Sequence, residues 1–243
     1  MPNETVVIVS DVHLGAAPEA TAAAFHRFLE SVPDMARHLV INGDLFDFWF
    51  EYRSVIPRRA FPTLNVLHRM RRAGVRITMT GGNHDRWGGP FWHEELGASF
   101  HPEGTRLDVA GWRTFLTHGD GLTESLWASA MLHRLTRWPP TIWAFRLLHP
   151  DVGYRLVNLM SRSLADRNRD PAVQARAATD QATFAGHYLS ANPAVDLLVL
   201  GHTHRPALIA FGERRWYLNP GAWVEGMRYA IVTPDGPTLA SMA

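Results

Sequence analysis

With 243 residues, 46% of them hydrophobic and 19% charged, and a formal net charge of +1, the chain fits one large globular domain or two small ones; its basic residues are not gathered into the long strip that binds nucleic acid. It has no cysteine, which excludes disulfides, thiolate nucleophiles and sulfur-ligated metals, so any metal must be held by His, Asp, Glu or Asn, and thirteen histidines are available. No run reaches the ~18–20 uncharged apolar residues of a membrane span, and the N-terminus leads into a strand without a signal-peptide pattern, so a cytoplasmic protein is expected.

Thr5 to Ser10 reads as a buried strand ending at Asp11-Val12-His13. On an extended backbone residues two apart point the same way, so Asp11 and His13 can grip one ion. A helix over Ala20 to Leu29 and a strand from His38 to Asn42, ending at Gly43-Asp44, complete a β-α-β unit. Phe61 to Ala73 carries Leu64, Leu67 and Met70 at helical spacing and stops at Gly74, and Val75 to Thr80 is a third strand, ending at Gly81-Gly82-Asn83-His84-Asp85. A parallel sheet would bring these three polar strand ends to one edge, where α/β proteins place their chemistry.

After a short helix near Phe91 to Leu96, Thr105 to Val109 and Thr114 to Thr117 pair around Ala110-Gly111 and lead into His118-Gly119-Asp120. A helical insertion follows, at about 122–190. Thr123 caps a helix carrying Trp127, Met131, Leu135 and Trp138; Pro139-Pro140 breaks it, Thr141 to His149 starts another, and Asp151 to Asp166 and Pro171 to Leu189 make two more. From Leu122 to His187 there are eight arginines against five acids, so the insertion is basic and aromatic while the remainder brings the carboxylates. Leu197 to Leu200 then runs into Gly201-His202-Thr203-His204, and Ala207 to Phe211, Trp216 to Asn219 and Tyr229 to Thr233 are short closing strands. Residues 1–243 thus read as a single domain with a helical cap inserted.

Asp11, His13, Asp44, Asn83, His118, His202 and His204 therefore arrive from five strand ends. They are hard and borderline ligands suited to two divalent ions about 3.5–4 Å apart, with Asp44 the natural bridging carboxylate. A lone histidine at such a position is usually a packed or surface residue, but five ligand-bearing strand ends in succession are not accounted for in that way. Asp85 by itself also reads as a turn residue. The aromatic run Phe46 to Tyr52 either packs beneath the site or stacks on a nucleobase, and the aromatics of the insertion either pin it to the core or wall an acyl groove.

The succession Asp11-x-His13, Gly43-Asp44, Gly82-Asn83-His84-Asp85, His118 and Gly201-His202-x-His204 resembles the calcineurin-like metallophosphoesterase superfamily. The resemblance implies an α/β fold, a four-layer α/β/β/α sandwich with a dinuclear site. One ion would take Asp11, His13, Asp44 and His204, and the other Asp44, Asn83, His118 and His202. It also implies attack by a metal-bridging hydroxide. His84 would lie beside the metals and serve the leaving oxygen, and Asp85 would hold the orientation of its ring.

A narrower similarity runs through Gly43-Asp44-Leu45-Phe46-Asp47-Phe48-Trp49-Phe50-Glu51-Tyr52, His118-Gly119-Asp120-Gly121, His149-Pro150-Asp151 and Gly201-His202-Thr203-His204-Arg205-Pro206. With the insertion, it is similar to the UDP-2,3-diacylglucosamine diphosphatases of lipid A synthesis. That similarity implies a nucleotide-sugar lipid substrate cleaved to UMP and 2,3-diacylglucosamine 1-phosphate, manganese as the metal, and peripheral work on the inner face of the cytoplasmic membrane. By position Ser163 and Arg167 come nearest to that family's substrate-contacting residues; independently, Arg155, Arg162, Arg167 and Arg169 of the basic insertion could meet phosphates or an anionic surface, and Asn83 and Asp120 are further candidate substrate contacts. The best-known members carry arginine where this chain has His84, a departure that bears on the substrate and not on the chemistry. Two alternatives stand beside this reading: a broader phosphodiesterase or phosphatase acting on a soluble nucleotide or protein phosphate, and a non-catalytic scaffold.

Overall fold

The computed structural model describes residues 5–122, 131, 134–165 and 171–242, with the side chains of 158, 160–165 and 171 outside that description. In chain order the elements are β1 (Val6–Val9), α1 (Glu19–Met35), β2 (His38–Asn42), α2 (Phe61–Arg72), β3 (Arg76–Thr80), α3 (Phe91–Glu94), β4 (Ser99–His101), β5 (Thr105–Val109) and β6 (Trp112–Leu116). The insertion then contributes α4 (Pro139–Arg146), α5 (Pro150–Ala165) and α6 (Pro171–Ala191), and β7 (Leu197–Val199), β8 (Ala207–Ala210), β9 (Trp216–Asn219), β10 (Arg228–Thr233) and β11 (Gly236–Ser241) follow.

The strands form a six-stranded sheet in the order β11-β10-β1-β2-β3-β4 and a five-stranded sheet in the order β5-β6-β7-β9-β8. In the first, β1 to β4 are parallel, with Val7 beside Leu39 and Leu39 beside Ile77. In the second, β6, β7 and β9 are parallel. The polar segments after β1, β2 and β3 therefore leave one edge of the first sheet together, as expected.

Strand alternation decides the layers. Val7 and Val9 of β1, with Leu39 and Ile41 of β2, face α1 and α2, meeting Phe25, Phe28, Leu29, Leu64, Leu67 and Met70. Val6, Ile8 and Val40 point the other way and close a second core with Val109, Leu116, Leu197, Val199 and Leu218 of the second sheet. The far face of that sheet, through Leu198 and Tyr217, is covered by Ala185 and Leu189 of α6. Helices, sheet, sheet and helix make the α/β/β/α sandwich. Among the described residues no helix is long and apolar enough to cross a membrane.

The structure departs from the sequence reading in a few places. α1 runs past Leu29 to Met35, through Pro33, because Val32 prolongs the buried stripe begun by Phe28 and Leu29. Pro139 and Pro140 open α4 instead of preceding it. A first-turn proline gives up only an N–H that would have no partner, and the Trp138 carbonyl accepts from Thr141 and Ile142. β4 and β11 were not expected: each is an outer strand, largely exposed or half-buried, with no continuous apolar run to mark it. Of the helix expected after Thr123, residues 131 and 134–137 are helical, while Thr123 and Trp127 lie outside the described residues.

Candidate metal centre

Five of the expected ligands sit in the left-handed backbone region, Asp11, His13, Asp44, His202 and His204, with φ between 52° and 69°. Asp and His tolerate it better than β-branched residues do, and such strain gathers at functional sites. This corrects the argument that Asp11 and His13 converge because they alternate along an extended strand. The chain has already turned, and backbone hydrogen bonds hold the turn: Asp11 N–H donates to the Gly43 carbonyl at 3.2 Å and His13 N–H to that of Asp44 at 3.0 Å. Glycine lets these segments approach. A Cβ on Gly82 would run into the Asp44 carboxylate and one on Gly43 into the His118 ring.

The side chains converge on a single volume. His204 Nε2 lies 3.4 Å from Asp11 Oδ1 and 3.3 Å from His13 Nε2. Asp44 Oδ2 lies 3.1 Å from His118 Nε2 and 3.8 Å from His13 Nε2. The His202 and His118 ring centroids are 5.3 Å apart. Among the described residues Asp11–His13–His204, His13–Asp44–His84 and Asp11–Asp44–His118 each present three ligand atoms within 4.8 Å of one another, so the groups overlap, Asp11, His13 and Asp44 each belonging to two of them.

The donor set fits divalent cations on independent grounds. Of the eight buried side-chain polar atoms without a hydrogen-bond partner among the described residues, two, His118 Nε2 and Asn83 Oδ1, belong to expected ligands. His118 donates its other ring nitrogen to the Asn42 carbonyl at 2.9 Å, the arrangement that points Nε2 at a metal. Asp11 and Asp44 are fully buried carboxylates, and although burial alone would raise them, the neighbouring imidazoles hold both below the ordinary range. The same pairing carries His118 well above its usual value and His204 up to about 10, against the effect of burial in each case. Burial instead lowers His13 to about 4. The two carboxylates demand positive charge, and divalent ions would supply it while releasing protons from the rings.

His84 borders this cluster, its ring edge-on to His13 with centroids 4.9 Å apart. Its Nδ1 is 2.7 Å from the Asp47 carbonyl, so Asp47, and not Asp85, orients it. Asp85 is turned the other way. Its oxygens accept from the backbone N–H groups of Gly82 at 2.9 Å, Asp44 at 3.2 Å, Leu45 at 2.7 Å and Phe46 at 3.4 Å. It ties the segment bearing Asp44 to the segment bearing Asn83, which is the turn-residue reading on a larger scale. Asp120 is buried and paired with Arg86 and with Arg137, 3.4 Å away, so it ties the insertion to the edge of the site. Arg162 and Ser163 fall on α5, with side chains outside the description, and Arg167 and Arg169 lie outside the described residues.

In the aromatic run, Phe46 and Trp49 stack on each other and pack beneath the site on Trp92, while Phe48 and Phe50 meet Phe145 of the insertion. Packing wins there. Trp138, Trp143 and Leu147 of the insertion are instead 57%, 64% and 66% exposed, far more than aromatics that merely pin a lid would be.

The profile of the family described as calcineurin-like phosphoesterase matches residues 4–206, which takes in every expected ligand. The chain belongs to that family. It is accordingly a metal-dependent phosphoester hydrolase, and the family implies divalent ions where the cluster has formed. Among its relatives is the UDP-2,3-diacylglucosamine hydrolase of Porphyromonas gingivalis, 30% identical over 96% of this chain and 95% of that protein. Proteins of the same name from Ralstonia nicotianae and Bordetella pertussis are 33% and 34% identical, covering 88% and 82% of this chain and 82% and 77% of theirs.

Several residues of this phosphoesterase centre were not anticipated. Ser10 donates to Asp11 at 2.6 Å, and Gln181, fully buried on α6, donates to the Gly201 carbonyl at 3.0 Å beneath the two histidines of that loop. Glu225 lies 2.7 Å from His204 Nδ1. None stands in a motif of its own, and only the fold brings each to its partner.

Proposed function

We propose that the chain hydrolyses the pyrophosphate bond of UDP-2,3-diacylglucosamine, giving UMP and 2,3-diacylglucosamine 1-phosphate. The observation that carries this reading is the extent of the match to a relative of that name, which spans 95% of the relative and so takes in the insertion as well as the metal ligands. The insertion supports it physically, since Trp138, Trp143 and Leu147 offer exposed apolar surface for acyl chains, and Arg146 and Arg155 beside them are exposed cations. On this reading the protein works peripherally at the cytoplasmic face of a membrane, with manganese as its metal.

Asp11, His13, Asp44 and His204 would hold one ion, and Asp44, Asn83, His118 and His202 the other. Bound there, the two cations lower the pKa of water and neutralise phosphate charge. The chain's own residues do the rest. Asp85 and the glycines at 43 and 82 fix the approach of the ligand-bearing segments. Burial works against the charged ring of His84, but Asp44 and Asp47 raise its pKa above the usual value, so with Nδ1–H donated to the Asp47 carbonyl the protonated ring has an Nε2–H to give to the leaving phosphate oxygen as the P–O–P bond opens. Purified protein with manganese and UDP-2,3-diacylglucosamine should release UMP saturably. No release, together with brisk turnover of a simple phosphodiester, would overturn the assignment in favour of a broader esterase.

A further inference from the structure

His204 differs from His118 in what holds its second nitrogen. His118 Nδ1 donates to a neutral main-chain carbonyl in the core, whereas His204 Nδ1 donates to the carboxylate of Glu225 at 2.7 Å. Glu225 lies between β9 and β10 on a loop held rigidly against the site. Trp223 N–H donates to the Ser10 carbonyl at 3.1 Å and Val224 N–H to the Asp11 carbonyl at 3.2 Å, while the Trp223 indole is fully buried against Phe25 and Phe28. The same loop that carries Glu225 is thus pinned to the strand end that carries Asp11. With Nδ1–H directed at Glu225, the lone pair of Nε2 faces Asp11 and His13. A carboxylate behind an imidazole fixes its tautomer and strengthens it as a donor.

We propose that Glu225 is a positioning residue that holds the ring and tautomer of His204 and makes the Asp11–His13–His204 position the more tightly occupied of the two. This rests on the two-ion reading above. The Glu225 side chain is 46% exposed, so replacing it leaves no buried hole and the fold is retained.

The test titrates manganese into chelator-stripped full-length protein by calorimetry, with His204→Ala and His118→Ala identifying which binding step belongs to which position. Glu225→Ala should weaken the step that His204→Ala abolishes by roughly 10–100-fold and leave the other within about twofold; Glu225→Gln, which keeps an acceptor but no charge, should fall between. In zinc-loaded protein the downfield Nδ1 proton of His204 should be visible by NMR in the wild type and lost or shifted in Glu225→Ala. Both steps unchanged, or both weakened alike, would overturn the inference while leaving the two-ion reading intact. Failure of the wild type to bind two ions would remove that reading, and the inference with it.

Discussion

Gln181→Met tests whether the helix that ends the insertion also supports the metal loop. Gln181 is fully buried, and its Oε1 accepts from the Tyr217 hydroxyl at 2.6 Å, Asn219 Nδ2 at 3.0 Å and the Thr203 hydroxyl at 3.2 Å. Methionine matches the length and volume but accepts none of these bonds well. Asn219 keeps the Gly201 carbonyl and Thr203 Oγ1, each at 3.1 Å, so the donors left without their Gln181 acceptor are the hydroxyls of Tyr217 and Thr203. A buried donor deprived of its acceptor costs about 1–3 kcal/mol, so two cost about 2–6 kcal/mol. Trading a buried amide for a thioether recovers about 1–2 kcal/mol of that, which leaves a net loss of about 1–4 kcal/mol. Urea denaturation in excess chelator reads this without metal linkage. Calorimetry on the same variant should show weakened binding by the loop that carries His202 and His204. Stability within about 0.5 kcal/mol of the wild type would refute the reasoning, because the network would then carry no net energy.

His84→Ala should slow turnover by at least ~100-fold with metal content unchanged, by metal analysis beside steady-state kinetics. Loss of metal in that variant would make His84 a ligand. Asp120→Ala takes the buried partner from the Arg86 guanidinium, leaving it the exposed Glu103 carboxylate 3.6 Å away, and should cost about 3 kcal/mol of stability; a raised KM at normal stability would instead give Asp120 a role toward substrate. His38 on β2 is buried, and burial, reinforced by Arg76, lowers it from 6.5 to about 3. The unfolded chain therefore takes up a proton below pH 6.5 that the folded chain refuses, so stability falls as pH falls. Relative to His38→Phe, the wild type should lose about 2 kcal/mol between pH 6.5 and 5, measured by denaturation at each pH. Parallel pH profiles for the two proteins would contradict it.

The layers and the strand ends that carry the candidate ligands were legible because both depend on local signals: short apolar runs, and polar residues placed where those runs stop. β2, β5 and β9 end where their composition changes. What escaped was set by distance in sequence or by backbone conformation. The positive φ values at Asp11 and His13 defeat a period-two argument even though the side chains do meet. The direction of Asp85 depends on four donors, three of them about forty residues away, and an exposed Glu225 looks like any surface acid until the fold sets it 2.7 Å from His204. β4 and β11 escaped because outer strands have no need of a continuous apolar run.

The central claim is that Asp44 bridges two divalent ions, and metal stoichiometry tests it most directly. Wild-type protein equilibrated with manganese and freed of excess ion should retain two equivalents per chain, and Asp44→Ala should lose both positions together, since its Oδ2 lies near His13 of one expected ligand set and His118 of the other. Retention of two equivalents by Asp44→Ala, or a single equivalent in the wild type, would contradict the account.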